Sequence, residues 1–171
     1  LVDETAGRTA LEPRARTGRT LALYAEVDAL LDGQTCACSE GGVGSTPEAQ
    51  CCHFGVTGRE PYPTAVELEE VGHAVLAASV PLPAAARTAR TSGPHRLPVV
   101  DLRRCPLLSA EGRCRIYASR PFGCRTFFCG QKLPRQAVNA IGRRIADLSA
   151  RFAPADPGPR PLVRALARWR H

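Results

Sequence analysis

The chain has 171 residues, 44% of them hydrophobic and 5% aromatic, with no Met and a formal net charge of +7. That length suits one ordinary domain, with a core drawn from Leu, Val, Ile and Ala. No run of about 18 apolar residues occurs, so no membrane-spanning helix is expected. Leu1 to Glu4 lack the basic start and apolar stretch of a secretory leader, so the expected location is cytoplasmic, with reduced thiols.

The positive charge is almost all Arg, Lys132 being the only lysine, and the Arg residues are spread along the chain. A dispersed charge of this kind does not single out nucleic acid. Nucleic acid therefore stays an open but unfavoured partner, alongside a protein partner, and no membrane is expected.

Residues 1–16 read as a polar, flexible N-terminal segment. The spacing of Leu23, Val27, Leu30 and Leu31 predicts a first helix over 20–31, with Gly33 placed to cap it. Residues 33–63 then form a long stretch rich in Gly, Ser, Thr and Pro, and the four cysteines within it give a reason for such a loop. Thr64-Ala65-Val66-Glu67 is a capping box that opens a second helix. Leu68, Val71, Val75 and Leu76 make its apolar face, and Pro81 and Pro83 stop it.

Residues 81–98 read as a connector, with one short strand at 97–102. A turn-rich cysteine segment follows over 104–130. Pro134 suits the start of a third helix, where Val138, Ile141, Ile145, Leu148 and Phe152 step by three and four. Pro154, Pro157, Pro159 and Pro161 make a stiff linker. In a last helix over 162–170, Leu162, Leu166 and Trp169 share one face, and Arg160, Arg164 and Arg168 form a basic stripe. That helix is expected to pack on the domain and expose its Arg side chains.

Eight cysteines fall into two groups of four: Cys36, Cys38, Cys51 and Cys52, then Cys105, Cys114, Cys124 and Cys129. Four thiolates are the full ligand set of a tetrahedral zinc or of one iron–sulfur cluster, so all eight are candidate metal ligands. Gly112, Pro121 and Gly123 supply turns through which the second group can converge. Phe122, Phe127, Phe128 and Tyr117 can wall that point from water, and Arg115, Arg120 and Arg125 can balance thiolate charge. Cys36-Ala37-Cys38 and Cys51-Cys52 are poor chelating pairs on one ion, which suggests bridging, separate metals or a cysteine left out. His53, beside the CC pair, is a further candidate ligand; His73, near the apolar face of the second helix, is a weaker one. Disulfides are the competing use of eight cysteines, disfavoured by the expected compartment.

Cysteine count suits zinc and iron–sulfur equally, and the absence of Met argues against thioether-bound copper. Cys105-Pro106 is similar to the Cys-Pro that closes ferredoxin cluster motifs.

Three stretches carry a more specific likeness: Cys105-Pro106-Leu107-Leu108, Gly112-Arg113-Cys114-Arg115-Ile116-Tyr117, and Arg120-Pro121-Phe122-Gly123-Cys124-Arg125-Thr126-Phe127. Together they resemble the downstream element of the YkgJ-type CxxCxxCC cysteine-cluster family, described as a zinc- or iron-chelating domain. Cys51-Cys52 fits the terminal CC of the upstream element. Cys36 and Cys38 lie closer together, and farther from that pair, than the family pattern has them, and Cys129 is an addition. The resemblance spans 36–129. It implies a metal-chelating domain and no single reaction.

The resulting expectation is a mainly α fold, with a small irregular α+β arrangement as the variant, its helices packed around cysteine-rich metal-binding loops. Residues 17–153 form the metal-binding domain, and 154–171 the linker and basic helix. The expected cofactor is zinc or iron, the latter alone or as an iron–sulfur cluster, held in a structural, sensory or accessory module. An iron–sulfur redox enzyme is the alternative, although the chain shows no Gly-rich nucleotide loop and no Ser-His-Asp order.

Overall fold

The computed structural model describes residues 13–31, 50–82, 104–126 and 133–169. Among these the fold is mainly helical: α1 (Pro13–Leu30), α2 (Phe54–Thr57), α3 (Ala65–Ala77), α4 (Phe122–Thr126), α5 (Arg135–Phe152) and α6 (Leu162–Arg168). Its one β feature is an isolated antiparallel bridge between Leu108 and Cys114. The expected strand at 97–102 and the cap at Gly33 lie outside the described residues.

Helix α1 starts at Pro13 rather than near residue 20. Proline is well suited to a first turn because it lacks only an N–H that would have no helical partner there. Leu23, Val27 and Leu31 are buried as their spacing requires, joined by Thr20 and Tyr24, whereas Leu30 is only half-buried. These residues meet Ile141, Ile145 and Leu148 of α5 and Val66 of α3 in one apolar cluster.

Helix α3 is the central element. Val66 faces the α1–α5 cluster, while Leu68, Val71 and Val75 face a second cluster containing Phe54, Cys105, Leu107, Ile116 and three residues of α6. A helix packed on two sides needs more than one apolar stripe, which explains its run of hydrophobic residues. The capping box forms: Glu67 Oε2 accepts the Thr64 backbone N–H at 2.9 Å and the Thr64 hydroxyl at 2.8 Å. Leu76, expected on the buried face, is 53% exposed. It lies one position past Val75, far enough round the helix to leave the stripe. The helix also ends before Pro81: Ala77 is its last residue, and Ser79 adopts a left-handed φ of 49°.

Helix α5 matches its expected span, with Ile141, Ile145 and Leu148 buried and Val138 and Phe152 half-buried at the ends. The chain after it lies alongside the segment that precedes α3. Pro157 O accepts the Ala65 N–H at 2.9 Å, Pro63 O accepts that of Arg160 at 3.0 Å, and Pro61 O accepts that of Leu162 at 3.1 Å. The buried Ser149 hydroxyl donates to Pro157 O at 2.6 Å and accepts from the Ala65 N–H at 3.1 Å. Gly158 has φ +83°, and a Cβ there would sit 3.1 Å from Thr64 Cα, so this crossing needs glycine.

Helix α6 packs on the domain as expected. Leu162, Val163 and Leu166 are buried in the second cluster, and Arg164 and Arg168 are exposed, whereas Arg160 precedes the helix and is half-buried. Its Val163 N–H is satisfied by Glu60 Oε1 at 2.6 Å, a cap supplied from about a hundred residues upstream.

Candidate functional site

Five of the eight cysteines lie within the described residues, and none of the five is in a disulfide: Cys51, Cys52, Cys105, Cys114 and Cys124. They line one small cavity of about 30 Å³ together with Phe54, Leu107, Ile116, Tyr117, Arg120, Pro121 and Leu162. Cys36, Cys38 and Cys129 lie outside the described residues, as do Phe127 and Phe128.

Each sulfur arrives on a different local device. Cys51 and Cys52 sit on a single 3-10 turn, Gln50–Cys52, directly before α2. Their Sγ atoms are 4.0 Å apart. Cys105 is tied directly to the first group, its N–H donating to Cys52 O at 2.8 Å. A tight turn then carries the chain from Leu108 to Cys114. Arg113 O accepts the Ser109 N–H at 2.8 Å, Leu107 O accepts the Arg115 N–H at 2.9 Å, and Gly112 takes the left-handed φ of 74° that the turn requires. Cys124 lies in the short helix α4, whose first N–H, from Phe122, is capped by Glu67 Oε1 at 2.7 Å.

Glu67 thus does more than the capping box indicated. Its buried carboxylate also accepts the Tyr24 hydroxyl at 3.4 Å, so one side chain ties α1, the start of α3 and the start of α4 together. Burial and the nearby Glu67 charge raise the Tyr24 phenol well above its usual range.

The three candidate charge-balancing arginines separate. Arg115 is exposed. Arg125 is buried but turned toward α1: its Nη1 reaches both Asp28 carboxylate oxygens, at 2.7 and 2.6 Å, and its Nε donates to Arg120 O at 3.0 Å. It also donates to Ala118 O and lies 4.4 Å over the Tyr24 ring. Arg120 lines the cysteine cavity, 6% exposed, its guanidinium 4.0 Å over the Tyr117 ring. Of the expected aromatic wall, Tyr117 is present. Phe122 instead packs toward Gly142 of α5. Phe54 and Leu162 complete the wall; Leu162 was legible as part of a helix face, but nothing local in the sequence places either residue beside the cysteines.

His53 is half-buried beside the cysteine turn but does not line the cavity, and His73 is exposed on α3.

Two of these thiols, Cys52 and Cys124, are disfavoured from ionising. Cys52 is raised above the ordinary thiol range, first by a hydrogen bond with the Cys105 thiol, then by burial and by the nearby Cys105 and Cys114, against an opposing bond with Cys51. Cys124 is raised by burial and by Cys52 and Cys114, with Arg120 pulling the other way. Several acids crowded into a dry pocket behave in this way, and a bound cation reverses it.

Among the described residues, no three or more His, Cys, Asp or Glu side chains stand in an arrangement ready to hold a metal ion. The five thiols share a cavity without being pre-set around one point. Set against models of known protein families, curated proteins and solved structures, the chain matches none.

Proposed function

We propose that this chain is a cysteine-cluster protein that binds zinc or iron through its thiolates and acts as a structural, sensory or accessory module. The likeness of its 105–127 segment to the YkgJ-type family is part of the proposal. The observation that carries it is the convergence of five thiols, from both sequence groups, on one small apolar cavity. Soft thiolate donors suit zinc and iron, and an apolar wall excludes competing water.

One further observation supports the reading. The cavity of about 30 Å³ has room for one water-sized occupant, which favours a single ion over a multi-iron cluster. A single tetrahedral ion takes four thiolates, so one of the five, on spacing grounds Cys51 or Cys52, stays outside the set.

The test is elemental analysis with an absorption spectrum on protein purified without oxygen and without chelator. The expected content is about one or two equivalents of zinc or iron per chain. A colourless protein containing zinc selects the structural module. A visible band bleached by dithionite selects iron–sulfur and redox chemistry. Protein that carries neither metal overturns the proposal.

A further inference from the structure

Among the described residues, Arg120 is the one basic side chain that lines the cysteine cavity. It is 6% exposed and lines the cavity along with the five thiols. The other buried arginine of this region, Arg125, is held by Asp28 and by the carbonyls of Arg120 and Ala118. Of the two buried carboxylates of α3, Glu67 is fully engaged, while Glu70 keeps one oxygen, Oε2, without a hydrogen-bond partner among the described residues. Glu67 is spread over the Phe122 N–H, the Thr64 N–H and hydroxyl, and the Tyr24 hydroxyl, and Glu70 accepts the Ser119 hydroxyl at 2.8 Å.

From this placement we infer that the cavity is built for a thiolate complex of net negative charge, and that Arg120 is the positioning residue whose charge makes such a complex tolerable in a buried site. This rests on the metal-binding reading above. The balance is simple. A divalent ion meeting four thiols releases four protons and leaves four metal–sulfur bonds with a net charge of −2. A buried dianion is costly unless a fixed positive group stands beside it. A planar guanidinium keeps its charge even when buried and resting on an aromatic face, which suits it to that place.

The experiment titrates zinc into reduced, oxygen-free protein against a chromophoric chelator at fixed pH. The wild type is compared with Arg120→Lys, Arg120→Gln and Arg120→Met, with far-UV circular dichroism checking that each apo variant is folded. Neutral variants are expected to lose about 10- to 100-fold in zinc affinity, the range for residues acting through a ligand. Arg120→Lys is expected to recover most of that loss because it restores the charge though not the planar shape. Two neutral side chains of different shape are included so that a folding defect in one leaves the other to decide.

Neutral variants that bind zinc as tightly as the wild type overturn the inference while leaving the metal-binding reading intact. An Arg120→Lys protein as weak as Arg120→Gln also overturns it, since the role would then be shape rather than charge. A wild type that binds neither zinc nor iron overturns both.

Discussion

Cys105 donates its backbone N–H to the carbonyl of Cys52 at 2.8 Å, joining the two cysteine groups through the main chain. Because the bond involves no side chain, Cys52→Ser and Cys105→Ser leave it in place. Both variants are therefore expected to keep the far-UV circular dichroism of the wild type, while the bound zinc or iron of Cys105→Ser falls toward zero. Cys114→Ser and Cys124→Ser should behave alike, and either Cys51→Ser or Cys52→Ser should retain metal if one of that pair is surplus. Full metal content in all five variants would contradict the site.

Trp169, the only tryptophan, rests against Gly72 of α3, where an added Cβ would collide with the indole ring. Gly72→Ala is therefore expected to destabilise the protein by about 1–3 kcal/mol through overpacking, outweighing the gain of about 1 kcal/mol that Ala brings to a helix. In a Trp169→Ala background the collision is gone, and the same change should stabilise by about 0.5–1 kcal/mol. Urea titration of the four proteins measures this coupling. A destabilising Gly72→Ala in both backgrounds would contradict the contact.

Arg125 is 3% exposed at its side chain and Asp28 is 52% exposed, so the two ends of their ion pair should not be equivalent. Arg125→Met is expected to cost about 2–4 kcal/mol, since it leaves two carbonyls and a carboxylate short of donors. Asp28→Asn should cost less, about 1–2 kcal/mol, because water screens that end. Arg125→Lys should not rescue stability, because one ammonium cannot reach the carboxylate and both carbonyls. Denaturant midpoints test the order.

The exposed pair Arg144–Glu26 joins α5 to α1, with Arg144 Nη2 2.8 Å from Glu26 Oε1. The hydrogen bond from Arg144 holds the Glu26 carboxyl below its usual range. A depressed carboxyl contributes stability above its unfolded pKa, and that contribution disappears as pH falls through the lower folded value. Arg144→Gln should thus lower Tm slightly at pH 7 and low salt, with the difference vanishing below the Glu26 folded pKa and in 1 M salt. Melting curves at the two pH values check the sign.

The sequence made the helices legible where one amphipathic stripe decides them. The α5 periodicity and the Thr64–Glu67 capping box both correspond to observed features. The burial of Val66 against a second cluster was not readable, because a helix covered on two sides loses its single period. The candidate site was legible as cysteine types and turns but not as a cavity. Phe54, Leu162 and the selection of Arg120 over Arg115 and Arg125 depend on tertiary placement alone. The caps that Glu67 and Glu60 provide to α4 and α6 likewise join residues far apart in sequence, and no local spacing announces such bonds.

Metal analysis of anaerobically purified protein, paired with its absorption spectrum, addresses the central claim most directly. The account predicts zinc or iron bound through thiolates, with free sulfhydryls recovered once the ion is removed. Metal-free protein, or protein in which Cys51, Cys52, Cys105, Cys114 and Cys124 are oxidised to one another, would contradict it.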